Sequence, residues 1–290
     1  FKHEELLQAL LFSIAEEPLL SELKPASLGL ALNALARLRW PPPNTEADTM
    51  LEALAKRAVA LLGKFDSASI TQLLHASALL RPLADNTDLM EGILERSRKL
   101  VPEFSAQSLS ILVHSCARLQ RRDVPLLTQV AKTATPKIKE FNPQALALMA
   151  HGFAKLEVRS EILFYLLAGD MVEKMPLFSG QGICMVLKAY AKLQINNQKL
   201  VQACKKHVRA LADELTLQEI DAIEAGLRDL DSLDSATESL LAKMRRLLKA
   251  TQSSARRPVV EDPWASSEDA MLRRLAEQPS YEAPVRARAA

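Results

Sequence analysis

Hydrophobic and polar positions recur along this chain with a period of 37 residues. The phrases that open at Phe104, Phe141, Phe178 and Leu215 are FSAQSLSILVHSCARL, FNPQALALMAHGFAKL, FSGQGICMVLKAYAKL and LTLQEIDAIEAGLRDL. Two earlier phrases, FDSASITQLLHASALL and LKPASLGLALNALARL, follow the same pattern at slightly wider spacing. Self-similarity at a fixed period of this length is the signature of a helical-repeat array.

The phrases divide most of the chain into six repeats. Their predicted bounds are about 23–64, 65–103, 104–140, 141–177, 178–214 and 215–250. Residues 1–22 match the second half of a repeat and are interpreted as the remnant of a preceding, incomplete one. The wider spacing after the first phrase coincides with the insertion WPPPN at 40–44.

Each repeat is predicted to form two helices. If the opening Phe or Leu is position 1, position 2 holds a residue suited to cap a helix N-terminus: Asp66, Ser105, Asn142, Ser179 or Thr216. The opening Phe then forms a hydrophobic staple with position 6. Apolar residues at positions 6, 9, 10, 13 and 16 follow helical spacing. Second helices are expected at Asp123–Lys139, Ser160–Lys174, Asn197–Ala212 and Ser235–Lys249, the last with a capping box from Ser235 to Glu238.

The composition agrees with an all-α fold. Only 8 glycines and 4% aromatic residues are present, whereas 48% of the residues are hydrophobic, which disfavours β-sandwiches, barrels and nucleotide-binding α/β folds. Small residues at positions 12 and 14, such as Gly152 and Ala154, allow neighbouring helices to pack closely. We therefore predict an α-solenoid of stacked antiparallel helix pairs.

The repeats resemble the 37-residue heptatricopeptide repeat, a relative of the octotricopeptide repeat and of the helical repeats in FAST-kinase-domain and RAP-domain proteins. The residues that carry the resemblance are clearest in the fourth repeat: Phe141, Gln144, Leu146, Ala154, Lys155 and Leu156. Repeats one and two depart from it, since Ala26 and Ala68 replace the Gln. The resemblance implies an organellar RNA-binding protein that acts on transcripts or belongs to a mitochondrial ribosome, notably in apicomplexans. A C-terminal RAP domain is not recognised, so nuclease-like activity is not expected.

Helical spacing selects candidate RNA-binding residues. Positions 4, 11 and 15 fall on one side of the first helix, opposite the apolar stripe, and are predicted to form one exposed ray per repeat. Stacking of the repeats would align these positions into a polar, largely basic ribbon. Its amide side chains would contact base edges, and its cations would contact phosphates. The predicted RNA-binding residues are Gln107, His114, Arg118, Gln144, His151, Lys155, Gln181, Lys188 and Lys192.

Each of these positions also has a structural interpretation. The Gln at position 4 could support the first helical turn, and the histidines at position 11 could be retained from one duplicated ancestor for packing alone. The Phe series is interpreted as a staple rather than a base-stacking platform. Lys or Arg at position 15 could simply be solvated.

Neither catalysis nor a cofactor is expected. The chain lacks phosphate-binding glycine loops, the HExxH zinc signature and the GxSxG nucleophile motif. Three cysteines, Cys116, Cys184 and Cys204, without CxxC spacing support neither a disulfide framework nor a metal site. No apolar run approaches the roughly 20 residues that cross a bilayer, so a membrane is not expected as a partner. A small-molecule substrate is not expected either, because the catalytic motifs are missing.

The last 40 residues break the repeat. They are rich in Ser and Pro, with six Arg against six acidic residues, and are interpreted as a mostly extended tail with one possible amphipathic helix at 266–278. Trp264, Met271 and Leu275 are its predicted partner-docking residues. The helix could equally fold back over the last repeat as a cap.

The sequence therefore predicts a non-catalytic RNA-binding scaffold in a mitochondrion, with a plastid as the alternative compartment. A structural component of the mitochondrial ribosome, contacting ribosomal RNA and neighbouring proteins, is favoured because the net charge is only +2. The alternatives are a free transcript-stability or processing factor that binds single-stranded RNA, and a protein–protein adaptor solenoid.

Overall fold

The computed structural model describes residues 4–41 and 47–254 of the chain, with side chains as far as residue 250. This part is built of helices without a β-strand. Its α-helices are, in chain order, α1 (Glu4–Ala15), α2 (Leu19–Glu22), α3 (Pro25–Leu38), α4 (Ala47–Leu61), α5 (Ser67–Ser77), α6 (Arg81–Ala84), α7 (Thr87–Leu100), α8 (Ala106–Arg118), α9 (Val124–Ala134), α10 (Pro143–Lys155), α11 (Glu161–Lys174), α12 (Gly180–Lys192), α13 (Gln198–Ala210), α14 (Leu217–Asp229) and α15 (Ser235–Ser254).

The helices form two rows. The first helices of successive repeats, here called A helices, pack side by side in the order α3, α5, α8, α10, α12, α14. The second helices, called B helices, are α4, α7, α9, α11, α13 and α15, and the first five of them pack in a second row. The helix α1 packs against α4, as a B helix would. Neighbouring antiparallel pairs stacked in this way make an α-solenoid, which confirms the predicted fold class.

The predicted N-caps of the A helices are confirmed. Asp66 Oδ1 accepts from the Ser69 amide at 2.8 Å, and Asn142 Oδ1 accepts from the Ala145 amide at 2.8 Å. Ser105, Ser179 and Thr216 cap their helices in the same way. The opening residues Phe65, Phe104, Phe141 and Phe178 are buried. Each of them follows a 3₁₀ turn, at Leu62–Lys64, Val101–Glu103, Thr135–Glu140 and Met175–Leu177.

The B helices differ from the prediction at their ends. The α-helix α9 stops at Ala134 and continues as a 3₁₀ helix to Glu140, and α13 stops at Ala210. The predicted Ser235 cap of α15 is wrong, because Asp234 Oδ1 accepts from the Thr237 amide at 2.8 Å. Lys205 Nζ of α13 lies 2.6 Å from Asp234 Oδ2 and fixes this carboxylate beside the helix. Asp234, held by Lys205 of α13, therefore caps α15 in place of the Ser235 hydroxyl.

Most A helices end in a left-handed residue that is not glycine. Arg39, Gln120, Glu157, Gln194 and Asp231 all occupy position 17 of their repeats, with φ between 49° and 56°. The following amide in each case reaches back to the helix, as Val158 N does to Phe153 O at 3.0 Å. This is the Schellman arrangement, in which the left-handed residue satisfies the last helical carbonyls.

Close packing within the A row depends on small residues. A Cβ placed on Gly152 of α10 would lie 2.6 Å from Val113 Cγ1 of α8, and one on Gly226 of α14 would lie 2.8 Å from Leu187 Cβ of α12. Both pairs join position 12 of one repeat to position 10 of the preceding repeat. The helix α10 is buried continuously from Ala145 to Ala154. Interior A helices are therefore covered on both sides.

The last A helix carries charge where the others carry apolar residues. Position 10 of α14 is Glu224, which Arg245 of α15 contacts at 2.5 Å and Arg228 contacts at 2.6 Å. Arg245 also lies 2.7 Å from Asp221. Hydrogen bonding to Arg245 holds the pKa of Glu224 below its ordinary value. The charged surface of α14 is typical of a terminal repeat in a solenoid.

Candidate nucleic-acid interface

The three glutamines predicted at position 4 lie in the first turns of their A helices. Gln107, Gln144 and Gln181 are all half-buried. Gln144 Oε1 and Gln181 Nε2 are shielded from solvent and have no hydrogen-bond partner among the described residues. The structure therefore leaves these amides half-buried in the first turns of their helices rather than on an open ray.

The exposure predicted for position 11 is wrong in the third and fourth repeats. His114 is 1% exposed and His151 is 8% exposed. The prediction treated each A helix as having one free side, whereas the close approach at positions 10 and 12 brings neighbouring A helices over that side. These two imidazoles are consequently placed for contacts between repeats.

A hydrogen bond between the first two repeats shows what position 11 does. His75 Nδ1 lies 2.7 Å from Asn33 Oδ1, and both residues occupy position 11. His75 is 7% exposed. In the first two repeats, side chains at this position thus link one A helix to the next, as the packing interpretation predicts.

Position 15 is more open. Lys155 and Lys192 are exposed, as is Lys188 one helical turn before Lys192. Arg118 is half-buried, and its Nε donates to the carbonyl oxygen of Ala78 in the preceding repeat at 3.4 Å. Lys192 Nζ lies 3.2 Å from Glu157 of the preceding repeat. Of the nine predicted residues, the three lysines are the ones that present charge to solvent.

Three further cations on these repeats lie outside the predicted ribbon. Arg121, Arg122 and Arg159 are exposed in the turns that join A helices to B helices. Arg122 Nε donates to the Leu156 carbonyl at 3.0 Å, and Arg159 lies 3.2 Å from Glu161. The signal is present in the sequence, because Arg121, Arg122 and Arg159 follow the ends of their repeat phrases by two or three residues.

These cations together form one surface, here called the turn edge: Arg121, Arg122, Lys155, Arg159, Lys188 and Lys192. It follows the C-terminal ends of α8, α10 and α12 across repeats three to five. Glu157 and Glu161 each pair with one member, so positive charge remains in excess. A row of exposed Lys and Arg at repeat spacing can neutralise successive phosphates of a nucleic-acid backbone.

Four basic side chains in the second halves of their repeats serve the fold instead. Arg96, Lys137, Lys174 and His207 each contact the carbonyl oxygen of the opening Phe of their own repeat, at distances of 2.6–2.9 Å. We call these contacts the carbonyl latches. Because their polar groups are engaged with backbone carbonyls, the residues of the carbonyl latches are not candidates for phosphate binding.

The remaining candidate chemistry can be placed briefly. Burial raises the pKa of Cys116, Cys184 and Cys204 to about 12, which keeps these thiols protonated at neutral pH. Within residues 4–41 and 47–254, no group of three or more His, Cys, Asp or Glu residues is placed to hold a metal ion. The helices described here are too short or too polar to cross a membrane. Trp264, Met271 and Leu275 lie outside the described residues.

Comparison with known proteins identifies a family whose model matches this chain. No curated protein matches the chain. The family model of the RNA-editing substrate-binding complex 6 protein matches residues 44–248, from the middle of the first repeat to the sixth. An RNA-associated helical-repeat protein is thereby supported, whereas the specific heptatricopeptide resemblance stays a prediction. Since this match covers more than half of its length, the chain belongs to the RNA-editing substrate-binding complex 6 protein family.

Proposed function

We propose that this protein is a non-catalytic scaffold that holds RNA within a substrate-binding complex of RNA editing. The observation that carries the proposal is the family match across residues 44–248, because the family is named for such a complex. The α-solenoid supports it, since stacked repeats offer long surfaces to several partners at once. Neither a cofactor nor a small-molecule substrate has a part in the proposal.

The turn edge is the proposed RNA contact. Its exposed cations would bind the phosphates, so affinity would fall steeply with salt and depend little on base sequence. Arg118, His114 and His151 would act indirectly by holding repeats together. The ribbon suggested by the sequence is thus shifted toward the ends of the A helices, with Lys188 as its member at position 11.

The matching family is named for an RNA-editing complex. We therefore propose that assembly in place of the mitochondrial ribosome, which the repeat resemblance favoured. Proteins of an RNA-editing complex replace ribosomal proteins as the proposed partners. A mitochondrion remains the proposed compartment, and fractionation of the cells that make the protein tests it.

Sedimentation of the endogenous protein distinguishes the two assemblies. Organelle lysate is run on a sucrose gradient with and without RNase, and RNA crosslinked to the protein is sequenced. The proposal expects a particle separate from both ribosomal subunits, carrying messenger RNA and sensitive to RNase. Co-migration with a ribosomal subunit and crosslinks to ribosomal RNA would contradict it, as would the absence of crosslinked RNA.

A further inference from the structure

The outward face of the B-helix row can be compared helix by helix, because these helices also repeat every 37 residues. Their caps Asn86, Asp123, Asn197 and Asp234 mark the register. Counting from each cap, the same three positions are exposed in every B helix from α7 to α15. They hold Asp88, Glu91 and Glu95 on α7; Pro125, Thr128 and Lys132 on α9; Ile162, Tyr165 and Gly169 on α11; Lys199, Gln202 and Lys206 on α13; and Ala236, Ser239 and Lys243 on α15.

The helix α11 presents an apolar face at these positions. Ile162 is 72% exposed and Tyr165 is 74% exposed, one helical turn apart on the same side. Leu177, shortly after the end of α11, is 73% exposed. Single exposed hydrophobic residues are ordinary, but large ones grouped on one helix face mark interaction sites. The polar residues at the equivalent positions of α7 and α13 show that the fold does not require apolar ones here.

Gly169 continues this face toward the end of α11. A Cβ at Gly169 would meet nothing within 4 Å, so packing inside the chain does not call for glycine. Glycine is also a poor helix former, which makes it an unfavourable choice in the interior of an exposed helix. An absent side chain on an outward face allows another backbone to approach closely.

Lysines border this face on the two neighbouring helices. Lys132 projects from α9, and Lys199 and Lys206 project from α13, all exposed. None of the three forms an ion pair with another described residue. Acidic groups on a partner would therefore find positive charge on both sides of α11.

We propose that Ile162, Tyr165 and Gly169 of α11 form the docking face for an amphipathic helix of another protein. The partner helix carries an apolar stripe that covers Ile162 and Tyr165, with a small residue opposite Gly169. Asp and Glu along both flanks face Lys132, Lys199 and Lys206. This surface lies on the B row, whereas the turn edge proposed for RNA lies at the ends of the A helices, so one scaffold would hold both partners.

Site-specific photocrosslinking identifies the occupant in cells. A benzophenone amino acid replaces Tyr165 in the full-length protein, with Glu91, at the equivalent exposed position of α7 two B helices away, replaced in the same way as the matched control. Crosslinked peptides are sequenced by mass spectrometry. The proposal expects position 165 to capture a peptide with helical apolar spacing and acidic flanks. A basic or non-helical peptide, RNA, a second copy of this chain, or no crosslink at all would overturn it.

The captured sequence is then made as a synthetic peptide and titrated against full-length variants. Ile162→Ser with Tyr165→Ser should weaken binding at least about tenfold, since apolar anchors dominate helix docking. Lys199→Glu with Lys206→Glu should weaken binding mainly at low salt. Thr128→Ala, at the position on α9 equivalent to Tyr165, should leave affinity unchanged. Circular dichroism checks that each variant is folded. Unchanged affinity in the first variant would overturn the proposal, and RNA binding measured on the same variants stays an independent test of the turn edge.

Discussion

Lys174 Nζ donates to the carbonyl oxygen of Phe141 at 2.7 Å, joining the end of the B helix α11 to the start of the A helix α10. The same lysine lies 2.7 Å from Asp170, whose side chain is 1% exposed. Equivalent latches recur in neighbouring repeats through Arg96, Lys137 and His207. They close each repeat on itself, and Lys174 Nζ also donates to the Lys139 carbonyl of the preceding repeat at 2.9 Å.

Breaking one latch should destabilise the array. Lys174→Met removes a charged donor from the Phe141 carbonyl and one cation from Asp170, so we expect the free energy of unfolding to fall by about 2 kcal/mol. Urea unfolding followed by circular dichroism measures it. Lys132→Met, at an exposed position without such bonds, is the matched control. Equal stability of the two variants would show that the latch contributes nothing.

The left-handed residues at position 17 offer a stabilising change. Gln194 has a φ of 53°, a conformation that glycine adopts without steric cost. We expect Gln194→Gly to raise the free energy of unfolding by about 0.5–1 kcal/mol. Gln202→Gly, in the exposed interior of α13, should lower it by about 1 kcal/mol. Thermal unfolding of both variants compares them, and a loss of stability in the first would contradict the Schellman interpretation.

Two glycines should respond in opposite ways to alanine. Gly152→Ala places a methyl group 2.6 Å from Val113 Cγ1, so we expect a loss of about 1–3 kcal/mol from overpacking. Gly169→Ala meets no neighbour within 4 Å and should gain about 1 kcal/mol through helix propensity. Chemical unfolding of both proteins measures the difference. Similar effects in both would mean that the close approach of α8 and α10 is not maintained.

The cap of α15 predicts a pH dependence. Hydrogen bonds from Lys205 and from the Thr237 amide hold the pKa of Asp234 below its ordinary value. The stability linked to Asp234 is therefore present above the ordinary carboxyl pKa of about 4 and is lost as pH falls further. Unfolding midpoints measured from about pH 6 to pH 3 should fall at the acid end, and Asp234→Asn should flatten that fall. An identical acid dependence in this variant would contradict the assignment.

Local features were predictable from the sequence because their causes are local. The caps at Ser105, Asn142 and Ser179 depend on side chains within one turn of the helix start, and the 37-residue period sets their spacing. The cap of α15 was missed because the choice of Asp234 over Ser235 depends on Lys205, a residue of another helix.

The candidate site was harder to predict because exposure depends on neighbouring repeats. Helical spacing places positions 4, 11 and 15 on one side of an isolated helix, but it does not report how closely the next helix approaches. Gly152 against Val113 decides that distance and buries His151. Lys155 stays exposed because it ends its helix. The small residue at position 12 is the sequence feature that separates buried His151 from exposed Lys155.

RNA binding by charge-reversal variants tests the central claim most directly. Anisotropy of a labelled single-stranded RNA is measured with the full-length protein at low and high salt. Lys155→Glu, Lys188→Glu and Lys192→Glu combined should weaken binding at least about tenfold and reduce its salt dependence. The control combines Lys132→Glu, Lys199→Glu and Lys206→Glu, which changes the net charge equally on the B row and should retain most of the affinity. Equal losses in the two proteins, or no loss in the first, would contradict RNA binding at the turn edge.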